Sequence, residues 1–150
     1  MITKATPIQN MSNAFSVRGL NVIVTGGNRG IGFGISAAYA QSGANVAILC
    51  RNKESGDKAV EELRKYGTTC ICVACDVGQA ESVKSAAAEI FEKFVGIDVL
   101  VNNAGTSAVS EFLNDKDLRE WHRVIDTNLN GPAYTIYEVV PRMIKAGKGG

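Results

Sequence analysis

Residues 21–34, reading Asn-Val-Ile-Val-Thr-Gly-Gly-Asn-Arg-Gly-Ile-Gly-Phe-Gly, leave the chain few folds to choose from. Val22, Ile23 and Val24 are a β-branched apolar run of the kind buried in a parallel sheet. Five glycines then fall within nine positions, at 26, 27, 30, 32 and 34, and a helical pattern begins among them. Strand, glycine turn and helix in that order make an anion site. Small residues let the backbone approach a phosphate, and the free N–H groups of the helix start point at it with the helix dipole behind them. The spacing Gly26-xxx-Gly30-x-Gly32 differs from the common G-x-G-x-x-G, because Ile35 stands where the last glycine would fall. No lysine followed by Ser or Thr completes a P-loop.

The same alternation continues downstream. Ile31, Ile35, Ala38, Tyr39 and Ser42 mark the expected inner face of the first helix, which Gly43 ends. A second strand is expected over residues 45–50. Asn52 can cap the next helix, which runs to about Tyr66 and stops at Gly67, with Gly56 weakening its first turn. A third strand over 68–75 leads into Asp76-Val77. The helix after it turns Val83, Ala87, Ile90, Phe91 and Phe94 inward and ends at Gly96. A fourth strand over 97–101 runs into Asn102-Asn103-Ala104-Gly105. Looser sequence follows to Leu113, then a helix from about Asp115 or Asp117 to Ala146, bent or interrupted at Gly131-Pro132. Strands alternating with helices predict an α/β fold: a Rossmann-type doubly wound parallel sheet in the order 3-2-1-4, with its ligand outside the carboxyl ends of the strands.

Length and charge narrow the function. The 150 residues suffice for one domain, and a net charge of +1 gives no reason to expect nucleic acid or an anionic membrane as partner. No apolar run approaches the ~20 residues that cross a bilayer. Residues 1–14 lack the apolar core of a secretory signal and read as a polar N-terminal extension ahead of a domain at 15–150, so a cytoplasmic location is expected. Cys72 and Cys75 have the spacing of a zinc or redox pair, but no second ligand pair exists. Cys70, Ile71, Cys72 and Val73 read instead as a buried strand carrying reduced thiols, and no metal site is expected.

Residues 25–32, Thr-Gly-Gly-Asn-Arg-Gly-Ile-Gly, resemble the cofactor loop of the short-chain dehydrogenase/reductase family. Three further motifs similar to that family's follow in order: Cys75-Asp76-Val77, Asn102-Asn103-Ala104-Gly105, and Asn128-Leu129-Asn130-Gly131 as N-x-x-G. The resemblance implies a dinucleotide cofactor held by Gly26, Asn28, Arg29, Gly30, Ile31 and Gly32. Its chemical kind is decided at the end of the second strand. A fold selecting NAD offers Asp or Glu there to the ribose 2′-hydroxyl. This chain offers Cys50 and then Arg51, with Arg29 inside the glycine loop. A 2′-phosphate carries about −1.5 to −2 charge, which an arginine meets with paired, charge-assisted hydrogen bonds and a carboxylate repels. One such pair at ~4 Å contributes about 1 to 4 kcal/mol, a preference of roughly tenfold to several hundredfold. The expected cofactor is therefore NADP(H).

Asp76 can cap the helix that follows; by resemblance it also binds the adenine amino group, with Val77 beside the ring. The resemblance likewise gives Asn103 a cofactor contact and sets Ala104 and Gly105 against the ribose. Asn128 is the one catalytic position it assigns, perturbing its helix and holding a water of the proton relay. His122, the only histidine, lies among Arg119, Glu120 and Arg123 and reads as a solvated surface residue. Ile136, Val139, Val140, Met143 and Ile144 form an apolar face that packs on the sheet. In the family this region often builds a dimer interface, which implies a homo-oligomer at full length.

The implied reaction is hydride transfer between NADP(H) and a secondary alcohol or ketone. The family's proton donor is the tyrosine of Y-x-x-x-K, whose phenol pKa falls from about 10 beside the lysine. The chain has no such motif: Tyr134 is followed four residues on by Glu138, and Tyr137 by Pro141. The expectation is the N-terminal, cofactor-binding part of a longer enzyme, ending before the catalytic Ser, Tyr and Lys and inactive by itself. The loop and the lead-in at 15–19 are most similar to polyol/ketose reductases, gluconate-type enzymes and hydroxysteroid dehydrogenases. A 3-oxoacyl-thioester reductase and a non-catalytic NADPH-binding or regulatory protein stand as alternatives. Cys50-Arg51 counts against an S-adenosylmethionine methyltransferase, which needs an acid there.

Overall fold

β1 (Asn21–Thr25) is the axis of the structure, a computed structural model that describes residues 15–108 and 112–147. The extension expected at 1–14 and the last residues of the expected final turn lie outside the described residues. β1 pairs in parallel with β2 (Asn45–Cys50) on one side and β4 (Val99–Val101) on the other. β2 pairs in parallel with β3 (Cys70–Ala74), so the order is β3-β2-β1-β4, as predicted. The expected third and fourth strands are longer than the segments that pair.

Successive side chains of a strand point to opposite faces, and helices cover both. Ile23, Ala47, Leu49 and Val73 pack against α3 (Ala80–Lys93) through Val83, Ala87 and Ile90. The last helix, α5 (Gly131–Lys145), adds Val139 and Met143 to the same layer. Val22, Val24, Val46 and Ile48 face α1 (Gly30–Gln41) and α2 (Lys53–Arg64), meeting Ala40, Ala59, Val60 and Leu63. A sheet buried on both faces explains why its strands are continuous apolar runs.

Three helix expectations need correction. The inner face of α1 is Gly32, Ser36 and Ala40, while Ile31 is 80% exposed and Ala38 and Ser42 are exposed as well. α1 presses on the glycine turn with its small residues, because a Cβ on Gly32 would overlap the Gly26 carbonyl oxygen and the Asn103 side chain. The expectation that Gly56 only weakens α2 is incomplete: glycine permits the helix its position, since a Cβ there would run into the sulfurs of Cys72 and Cys50. On α5, Val139 and Met143 are buried, but Ile136 and Ile144 are 49% and 72% exposed, so the expected apolar face is only half covered.

The segment after β4 is more irregular than one bent helix. Two 3₁₀ turns, Phe112–Asn114 and Lys116–Leu118, precede α4 (Arg119–Ile125), and a π-helical turn over Asp126–Asn130 joins it to α5. The interruption thus falls before Gly131-Pro132. Pro132 follows directly on the π turn, in the first turn of α5.

Among the described residues no helix is long and apolar enough to cross a membrane.

Candidate functional site

The carboxyl ends of β1, β2, β3 and β4 open into one cleft of about 680 Å³. Thr25 fixes its floor. The buried Thr25 Oγ1 accepts the N–H groups of Asn103 and Ala104, both at 2.9 Å. Asn103 Nδ2 donates back to the Thr25 carbonyl at 2.9 Å, so the ends of β1 and β4 are locked as a unit. Gly26 leaves the strand at φ +65° and Gly30 enters α1 at φ +54°, conformations an L side chain strains to adopt. The Ser36 hydroxyl donates to the Gly27 carbonyl at 3.2 Å from inside the helix.

α1 begins at this turn with no side-chain cap. Its first internal bond runs from Phe33 N–H to the Arg29 carbonyl at 3.1 Å. The N–H groups of Gly30, Ile31 and Gly32 therefore have no acceptor within the helix, the arrangement that receives an anion.

Arg51, Asn52 and Ser55 form the wall at the end of β2. Asn52 Oδ1 caps α2 by accepting Ser55 N–H at 2.8 Å, and Asn28 Nδ2 reaches across from the glycine turn to Ser55 Oγ at 2.9 Å. The opposite wall is Asp76 and Val77. The capping alternative for Asp76 does not hold: the cap position of α3 is Gln79, and Asp76 Oδ1 closes a turn by accepting Gly78 N–H at 3.1 Å. Val77 is buried against Gly131, where a Cβ would come within 3.1 Å of it.

All twelve residues expected to touch a cofactor line this cleft: Gly26, Asn28, Arg29, Gly30, Ile31, Gly32, Arg51, Asp76, Val77, Asn103, Ala104 and Gly105. The Asn103 amide is committed to the sheet lock, while its residue still borders the cavity. Asn128 stands one step back, on the π turn. Its Oδ1 accepts Thr106 N–H and its Nδ2 donates to the Thr106 carbonyl, both at 2.8 Å, and Thr106 lines the cleft. Asn128 is exposed rather than buried. Arg123 supports the same loop, donating to Thr106 Oγ1 and, at 2.8 Å, to the Ser107 carbonyl, and pairing with Glu120 at 2.6 Å. Sequence reasoning passed over Ser55, Thr106 and Thr127 as lining residues. The rule that sites gather just past strand ends could have found the first two.

The four cysteines are free and buried. Burial pushes the Cys75 thiol up to about 11, against a smaller opposing hydrogen bond from Ser82. Cys50 and Cys72 touch at 3.5 Å; the bond between them, with burial, holds the Cys72 proton well above the ordinary thiol range. Among the described residues no group of three or more His, Cys, Asp or Glu is placed to hold a metal ion. His122 is exposed and borders a shallower groove shared with Arg51, Asp76 and Arg119.

A doubly wound parallel sheet with a cleft at its carboxyl edge, floored by a glycine turn and an uncapped helix start, defines a Rossmann-type α/β protein. The chain belongs to the short chain dehydrogenase family, whose sequence profile matches residues 20–150. It is 36% identical over 130 residues to the 3-oxoacyl-(acyl-carrier-protein) reductase FabG of Staphylococcus aureus, covering 86% of this chain and 52% of that protein. It is 35% identical over 141 residues to a sorbose reductase of Schizosaccharomyces pombe, covering 93% and 55%. Among solved structures, a metagenomic short-chain oxidoreductase in complex with NADP superposes with TM-score 0.83 at 30% identity, covering 89% of this chain and 61% of that one. An NAD+-bound xylitol dehydrogenase superposes with TM-score 0.82 at 28% identity, covering 89% and 51%. The chain spans about half the length of the curated relatives it matches.

Proposed function

We propose that these residues bind NADP(H) for an enzyme that moves a hydride between the nicotinamide and a secondary alcohol or ketone. The observation that carries the cofactor choice is the lining at the end of β2: Cys50 and Arg51, with no carboxylate, in the cleft that also contains Arg29. Electrostatics there favours a 2′-phosphate over a free hydroxyl. The cleft fits such a group. The uncapped start of α1 supplies amide donors for a pyrophosphate, and the close contact of Gly32 with Gly26 keeps those amides at the floor.

In this reading Gly26, Asn28, Gly30, Ile31 and Gly32 hold the pyrophosphate end, and Arg29 and Arg51 hold the 2′-phosphate. Asp76 accepts from the adenine amino group, with Val77 against the ring. Asn103, Ala104 and Gly105 border the nicotinamide ribose. Asn128 orders the Thr106 backbone and a proton-relay water near the reacting end. When bound, the nicotinamide supplies the hydride or accepts it.

Fluorescence titration with NADPH and NADH tests the reading. NADPH should bind at least tenfold more tightly, and equal affinities would remove the roles of Arg29 and Arg51.

For the substrate, the reading is a polyol, ketose, hydroxysteroid or other secondary alcohol, the polyol and ketose part supported by the likeness to a sorbose reductase and a xylitol dehydrogenase; the likeness to the 3-oxoacyl reductase supports the alternative, a 3-oxoacyl thioester. The 150 residues carry no Y-x-x-x-K, so alcohol oxidation by this chain alone is not expected. The exposed Ile136, Tyr137 and Ile144 on α5 support self-association as a homo-oligomer at full length.

A further inference from the structure

The cofactor reading rests on two arginines that lie on different parts of the chain, and a third residue connects the parts. Asn28 precedes Arg29 in the glycine turn; Asn52 follows Arg51 at the end of β2. The Ser55 hydroxyl stands between them. It accepts a hydrogen bond from Asn28 Nδ2 at 2.9 Å and donates one to the Asn52 carbonyl at 2.9 Å. That carbonyl is also met by Gly56 N–H at 3.1 Å and by the Cys50 thiol at 3.2 Å, which ties it to the strand end. Each arginine therefore sits one residue from an asparagine held by a single hydroxyl, and that hydroxyl lines the cleft.

We propose that Ser55 is a positioning residue for cofactor selection, setting the separation of Arg29 and Arg51 so that both guanidinium groups meet one phosphate. This depends on the NADP(H) reading above and extends it to a residue that need not touch the cofactor. Two long side chains reaching one anion lose rotamer freedom. Fixing their backbones in advance lowers the cost of binding. A ligand without the 2′-phosphate does not use the arginines in this way and gains nothing from the clasp.

Ser55 is a favourable place to test this, because removing its hydroxyl leaves the start of α2 capped. The cap of α2 uses the Ser55 backbone N–H, which alanine keeps. Alanine is also the better helix former. The experiment titrates NADPH and NADH into the wild-type chain, Ser55→Ala and Ser55→Thr, with thermal unfolding followed in parallel. Ser55→Ala should weaken NADPH roughly threefold to tenfold and leave NADH within about twofold, the scale of one lost hydrogen bond. Ser55→Thr, which keeps a hydroxyl, should restore most of the NADPH affinity. A merely structural role would weaken both cofactors together, and that result overturns the proposal. So does an unchanged NADPH preference in Ser55→Ala. If the wild-type chain itself shows no preference for NADPH, the cofactor reading fails first and the proposal with it.

Discussion

Thr25 and Asn103 hold each other at both ends of their hydrogen-bonding capacity: the Thr25 hydroxyl accepts Asn103 N–H, and the Asn103 amide donates to the Thr25 carbonyl, each at 2.9 Å. The pair joins the end of β1 to the end of β4 where the cleft begins. Its value to the fold lies in what would be orphaned without it.

Thr25→Val keeps the shape and removes the acceptor shared by Asn103 and Ala104. Two N–H groups lose their partner next to a fully buried residue, which should destabilise the chain by about 2–4 kcal/mol. A urea midpoint lowered with an unchanged slope would show it; an unchanged midpoint would remove the lock from the account.

Gly32→Ala puts a methyl group onto the Gly26 carbonyl and the Asn103 amide, so α1 must retreat from the turn. Overpacking of this kind costs about 1–3 kcal/mol. NADPH and NADH should weaken together, by roughly tenfold or more. Loss of one cofactor alone would contradict the shared role of the helix start.

Gly56→Ala should destabilise the chain, against the sign of helix propensity, which favours alanine by about 1 kcal/mol. The added methyl would collide with the Cys72 and Cys50 sulfurs, at a net cost of about 1–3 kcal/mol in chemical unfolding. A double variant that also carries Cys72→Ala should recover part of the loss. A stabilised single variant would show that the contact yields easily.

The buried Cys75 thiol makes stability fall in alkali. Its folded-state pKa of about 11 lies above the ordinary thiol value of 9.0, so the folded chain holds this proton more tightly than the unfolded one. The contribution is complete below pH 9 and disappears as pH rises from 9 to 11, by about 2–3 kcal/mol. Unfolding free energies measured across that window should fall more steeply for the wild type than for Cys75→Ala. Parallel slopes would contradict the shift.

Strand order and the cleft lining were legible in the sequence because both follow from local rules. A β-branched run ending in glycine is a buried strand ending in a turn, and parallel connectivity leaves little freedom in the order. What escaped was decided between distant segments. Ile31 looks like a core residue by spacing, yet the turn it belongs to folds back on Gly32, leaving Ile31 at the cavity mouth. Gly56 looks like a weak point until the two sulfurs of neighbouring strands are placed beneath it. The Ser55 link spans 27 residues, and the Asn128 pairing with Thr106 spans 22, separations at which no pattern of periodicity speaks. The π turn was also invisible, since propensity places the disturbance at Gly131-Pro132 rather than at the residues before it.

That π turn works as a phase adjuster. Each α-helical residue advances the chain by about 100° around its axis, so one residue more or fewer re-aims everything beyond it. With the wide turn in place, Asn128 addresses the loop at Thr106 while Val139 and Met143 address the core. Deleting a single residue from 126–130 would spin α5 rather than merely shorten it. The loop contact and the core contact could then no longer be made at once.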